Sequence, residues 1–166
     1  MTTPHTGGGI PLRPLTSWTL LALAGTIIVF GFLDWIFPVG PRDFPDRFGV
    51  GAFIELIVLA APLLAVLVAT KVGPVLRQAR LVGAVALIEY AVALLLGTLA
   101  FLITLAGRFE GLDEDGLYAF GGALQAVGDI LETLLLLTLL ALAALWTYRT
   151  YTGIGGTLPR LNVQAE

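Results

Sequence analysis

Apolar residues fall in four long runs along this chain, and polar residues mostly mark where the runs stop. The runs cover about residues 17–37, 50–70, 81–106 and 117–149. Each reaches or approaches the roughly 20 residues a helix needs to cross a hydrocarbon core about 30 Å thick. The fourth, LYAFGGALQAVGDILETLLLLTLLALAALWTYR, is helical in pattern throughout. At the α-helical rise it would be about 50 Å long, so an apolar half spans and a polar half need not. Asp129 and Glu132 stand near that division. Ser17 is placed to cap the first run, with Trp18 and Trp35 near its opposite ends as interfacial aromatics. Pro62 cannot donate a backbone hydrogen bond and should bend the second run.

Short polar stretches join the runs. Residues 38–49, PVGPRDFPDRFG, form a loop with three prolines; 71–80 hold Lys71, Arg77 and Arg80; 107–116, GRFEGLDEDG, form an acidic loop. Residues 1–15 and 151–166 read as flexible tails. Four helices with short connections predict an all-α fold, an integral membrane antiparallel four-helix transmembrane bundle over residues 16–150. No internal repeat is evident.

Composition strengthens the membrane reading. The chain is 57% hydrophobic and 13% charged, against about half and about a quarter in soluble domains. The absence of cysteine removes disulfides, thiolate metal sites and dithiol redox chemistry. The single histidine, His5, lies in the N-terminal tail, away from any position where it would ligate a haem between helices. A net charge of −3 with no basic stripe gives no support for nucleic acid as a partner. The first run is too long for a cleaved signal peptide and is expected to stay in the membrane as an anchor.

Charge asymmetry sets an expected orientation. The two tails and the middle linker carry Arg13, Lys71, Arg77, Arg80, Arg149 and Arg160; the other two loops carry Arg42, Arg47 and Arg108. Positive residues collect on the cytoplasmic side, so both termini are expected in the cytoplasm of a multi-pass inner-membrane protein.

The candidate chemistry is carboxylate chemistry. Asp34, Glu55, Glu89, Asp129 and Glu132 fall within the apolar runs, and Arg149 closes the last of them with no Lys or Arg farther inside. Such acids are costly in lipid and usually face protein or water. Gln125, Asp129 and Thr133 recur at four residues with Glu132 beside them, which makes one polar stripe. By helix rise, Glu55 would sit about 8 Å inside the outer end of its span and Glu89 about 12 Å inside the cytoplasmic end. Glu55, Asp129 and Glu132 are expected to share a polar site in the outer half. The acids either bond between helices and fix their register, hold a proton or cation, or stand exposed at the interface. Asp113, Glu114 and Asp115 lack the full calcium-loop pattern of an EF-hand, so a solvated acidic loop is expected. Ala86, Glu89, Ala93, Gly97, Ala100 and Thr104 recur at three and four residues. That face, with Ala93, Gly97 and Ala100 at its centre, suits close helix packing.

Motifs for hydrolytic or nucleotide chemistry (HExxH, GxSxG, a P-loop) are missing, and acids alone do not make an active site. No enzyme and no cofactor is expected. Four spans, cytoplasmic termini and modest loops over about 17–149 make the chain similar in outline to MARVEL-type tetraspan scaffolds. Its Leu/Ala/Gly/Arg-rich usage resembles that of small four-span membrane proteins of high-GC bacteria. The larger cysteine-bearing loop of claudins is missing, and the first-span glutamate of small multidrug-resistance transporters is replaced by Asp34 at the far end. The resemblance implies a non-enzymatic scaffold or accessory subunit, with the bilayer, further copies of itself or a larger membrane complex as partners. The alternative is a small proton- or cation-coupled channel or carrier.

Overall fold

Among the described residues every regular element is a helix. The computed structural model describes residues 12–37, 51–110 and 119–155, without the side chains of 51, 52, 107–110, 119–125 and 155. The acidic loop residues Asp113, Glu114 and Asp115, the loop arginines Arg42 and Arg47, and residues 1–11 and 156–166 of the tails lie outside the described residues. The helices are α1 (Leu12–Ile36), α2 (Gly51–Ile54), α3 (Leu56–Thr70), α4 (Ala79–Glu110) and α5 (Ala119–Gly155). Leu12–Ile36, Ala79–Ala106 and Ala126–Ile154 are long and apolar enough to cross a membrane; Leu56–Thr70 is a shorter apolar helix.

α1 begins before Ser17, so Ser17 is not its cap. Pro14 falls in the first turn, where a missing N–H costs nothing because that donor has no partner inside the helix. Ser17 is buried, and its hydroxyl donates to the Arg13 carbonyl at 3.1 Å. Thr16, Thr19 and Thr26 likewise donate to carbonyls four residues back, which satisfies each hydroxyl inside its own helix. The start of α1 is tied down by the Arg13 guanidinium, which donates to the Val68 carbonyl at 3.0 Å and the Pro74 carbonyl at 3.3 Å. Val68 lies in the last turn of α3, where carbonyls lack helical partners and the dipole favours a cation. Gly73 turns the linker with φ +82°, and a Cβ there would lie 3.1 Å from Arg13 Nη1. The indole N–H of Trp18 donates to Gln78 Oε1 at 3.1 Å and fixes the far end of the same linker.

The second apolar run is not one continuous helix. It breaks at Glu55, whose backbone is extended (φ −59°, ψ 147°). Glu55 is therefore the residue that starts α3. Its carbonyl accepts the amides of Val58 at 3.0 Å and Leu59 at 3.2 Å, while its side chain makes no capping bond. In α2 two consecutive side chains, Phe53 and Ile54, are both buried. Phe53 meets Trp35 edge-on, with ring centroids 5.7 Å apart.

Small residues let the helices approach. Leu21, Ala65, Val66, Ala69, Ala79, Val82 and Ala86 form one core cluster, with Trp18, Trp146 and Ile154 against it. Ile28, Ile54, Val58, Tyr90, Ala93, Leu140 and Ala143 form the other. α1 packs chiefly on α3, and α4 on α5. Pro62 is buried inside α3, and the helix continues through it. At the far end, α5 runs past Arg149 to Gly155, and Ile154 joins the first cluster.

Candidate functional site

The face of α4 that packs against the other helices is set by a strict alternation. Ala86, Tyr90, Ala93, Gly97 and Ala100 follow one another at four, three, four and three residues, and all are buried. That spacing keeps one seam of a helix turned to its neighbours. Tyr90, not Glu89, belongs to the seam. The fourfold–threefold alternation was the signal for it, and reading the stripe through Glu89 misses it. Tyr90 is 0% exposed, and its hydroxyl donates to the Leu59 carbonyl at 2.7 Å. Leu59 lies in the turn before Pro62, where the proline removes one backbone donor and its ring crowds the neighbouring carbonyls. A donor from α4 thus reaches the turn of α3 just before Pro62.

Gly97 is the closest approach in the seam. A Cβ built there would lie 2.9 Å from Ile54 Cγ2, 3.4 Å from Leu137 Cδ2 and 3.8 Å from Phe53 Cβ. The space is filled by the chain's own α2 and α5. Ala93 and Ala100 are buried on either side of it.

The carboxylates are placed differently from one another. Glu89 leaves the seam toward α1, where Gly25 makes room for it: a Cβ on Gly25 would lie 3.2 Å from Glu89 Oε1. Its other oxygen, Oε2, is buried without a hydrogen-bond partner. Glu55 is exposed at the break before α3, Asp34 is exposed near the end of α1, and Glu132 is exposed on α5. Asp129 is half-buried, and its backbone carbonyl accepts the Thr133 hydroxyl at 2.8 Å. Gln125 lies in α5 with its side chain outside the described residues. Among the described residues no three acidic or histidine side chains gather in a way that could hold a metal ion. Compared with family models, with curated proteins and with solved structures, the chain matches none.

Proposed function

We propose that this chain is an integral membrane protein in which α1, α2 with α3, α4 and α5 cross the bilayer as an antiparallel bundle. It works without catalysis, as a scaffold or accessory subunit that assembles with copies of itself or with a larger membrane complex. The observation that carries this reading is the large number of big apolar side chains on the outside of the helices, with many alanines at the contacts between them. Large side chains point outward, with Leu95 69%, Ile88 63% and Leu131 62% exposed, while Ala24, Ala65, Ala86, Ala93 and Ala100 fill the interior. A water-soluble fold buries its large apolar residues; a bilayer solvates them and leaves small ones for helix contact. α3 alone is about 22 Å long, short of the hydrocarbon thickness, and α2 supplies the rest of the second crossing. The six-to-three excess of Lys and Arg in the tails and middle linker orients both termini to the cytoplasm.

Two features favour a scaffold. Tyr90 and the alanines of α4 fill the interior between the helices. The Ala93–Gly97–Ala100 face is also used inside the protomer, so a second chain must meet another surface. The exposed face of α5, with Leu131, Leu135, Leu139 and Leu142 around Glu132, is that surface: an acid among leucines is costly in lipid and is relieved by a covering chain. The carrier reading has one observation in its favour, the buried and unpartnered Oε2 of Glu89. Disulfide crosslinking in native membranes separates the possibilities. L135C should give a crosslinked dimer, and I88C, on a different helix, should not. Proteoliposomes should show no proton or cation flux above empty liposomes. Flux that is abolished by E89Q would overturn the scaffold, and a monomer with no L135C crosslink would overturn self-assembly through α5.

A further inference from the structure

Two arginines stand together where α4 begins and α5 ends. Arg77 and Arg80 line a cavity of about 580 Å³ with Gln78, Leu81, Ala84 and Tyr151. The walls are held in place from three sides. Tyr151 packs on Gly83, its Cδ2 lying 3.4 Å from where a Cβ of Gly83 would be. The Arg80 guanidinium sits over the Tyr151 ring, 5.6 Å from its centroid, a distance at which the ring face attracts a cation. Gln78 Oε1 is occupied by the Trp18 indole, which leaves the amide nitrogen of Gln78 as a donor.

The polar lining is therefore rich in donors. Among the described residues, neither Arg77 nor Arg80 has a carboxylate partner, and the linker they belong to carries no acid. Arg13 and Lys71 belong to the same end of the molecule. Arg13 is engaged with backbone carbonyls, whereas the two pocket guanidiniums keep their planar forks. Forked N–H donors match the oxygens of a phosphate. Below the arginines the wall turns apolar: Leu81 and Ala84 lead along α4 to the exposed Ile88, Val92 and Leu95. Positions 81, 84, 88, 92 and 95 lie three or four apart and form one stripe down the helix.

We propose that this pocket binds the phosphate headgroup of an anionic phospholipid, with one acyl chain lying along the Leu81–Ile88–Leu95 stripe of α4. The assignment rests on the membrane reading above, in which Arg77 and Arg80 lie at the cytoplasmic interface, where anionic lipid attracts basic side chains. A free phosphate would satisfy the arginines but not the apolar wall, so the stripe favours the lipid.

The test is native mass spectrometry of the full chain in detergent, titrated separately with phosphatidylglycerol, phosphatidylcholine and soluble glycerol 3-phosphate. The wild type should retain phosphatidylglycerol in preference to the other two. R77Q/R80Q should weaken that retention by about tenfold or more, since a charge-assisted bond is worth about that factor. K71Q/R149Q removes the same charge outside the pocket and should retain the lipid as the wild type does. Melting without lipid checks the fold; if the pocket double variant melts lower, R77Q alone takes its place. Equal losses in both double variants would mean a diffuse basic surface and overturn the site. So would equal retention of phosphatidylcholine, or glycerol 3-phosphate held as tightly as the lipid. Alkaline carbonate extraction of the wild type separates the two levels: release of the chain would defeat the membrane reading itself, while retention with no lipid preference would defeat only the pocket.

Discussion

Replacing Gly97 with alanine adds a single methyl group at the most crowded of the described glycines. The new carbon would stand 2.9 Å from Ile54 Cγ2, about an ångström inside ordinary contact, and 3.4 Å from Leu137 Cδ2. Leu137 can give way, because the crowded atom is the free end of its side chain. Ile54 cannot do so cheaply: Cγ2 is bonded directly to its Cβ, χ1 is stiff in a β-branched residue, and α2 is only four residues long before the break at Glu55. Relief requires moving the backbone of α2 and with it the Phe53–Trp35 contact. Overpacking of this kind costs about 1–3 kcal/mol. G25A is the internal control. Its methyl would meet Glu89 Oε1 at 3.2 Å, the end of a flexible side chain, and should cost less than about 1 kcal/mol. Unfolding in detergent, followed by tryptophan fluorescence, measures both. A double-mutant cycle with I54A identifies the cause: I54A alone creates a cavity costing about 2–5 kcal/mol, but G97A/I54A should cost about 1 kcal/mol or more less than the sum of the single changes. Unchanged melting for G97A, or strictly additive effects, would refute the contact.

Other substitutions test single interactions by the same assay. T147V should stabilise the protein by about 1 kcal/mol, because the Thr147 hydroxyl is buried without a partner and the methyl is of similar size; a lower melting temperature would show that the hydroxyl is satisfied. Y90F should destabilise by about 1 kcal/mol through loss of the bond to the Leu59 carbonyl, and no change would mean that water or another donor replaces it. G73A should cost about 1–2 kcal/mol, since an alanine at φ +82° is strained and its methyl would crowd Arg13; wild-type melting would show that the linker rearranges freely.

The helices were legible because hydrophobic runs and their interruptions report directly on which backbone is buried from water. Helix ends were less so. Residues 12–15 read as part of a flexible tail, yet Pro14 is harmless in a first turn, and α1 starts before the expected cap at Ser17. The break at Glu55 has no local signature: neither glycine nor proline stands there. The small residues of α4 announced a packed face, but only coordinates place that face against the protomer's own α2 and α5. The acids illustrate the limit most clearly. Depth counting puts Glu55, Asp129 and Glu132 at similar heights but carries neither the helix break at Glu55 nor the rotation about the α5 axis that leaves Glu132 exposed while Asp129 is half-buried. The Arg77–Arg80 pocket depends on Tyr151, in a segment whose Thr and Gly content reads as a tail, so the extension of α5 hid it.

The central claim, that this fold sits across a bilayer with both termini inside, is tested most directly by cysteine accessibility. The natural chain has no cysteine, so single D46C and V75C variants report on one loop each without background. In intact cells an impermeant thiol reagent should label D46C, and should label V75C only after the membrane is permeabilised. Labelling of V75C but not D46C in intact cells, or of both equally before permeabilisation, would contradict the account.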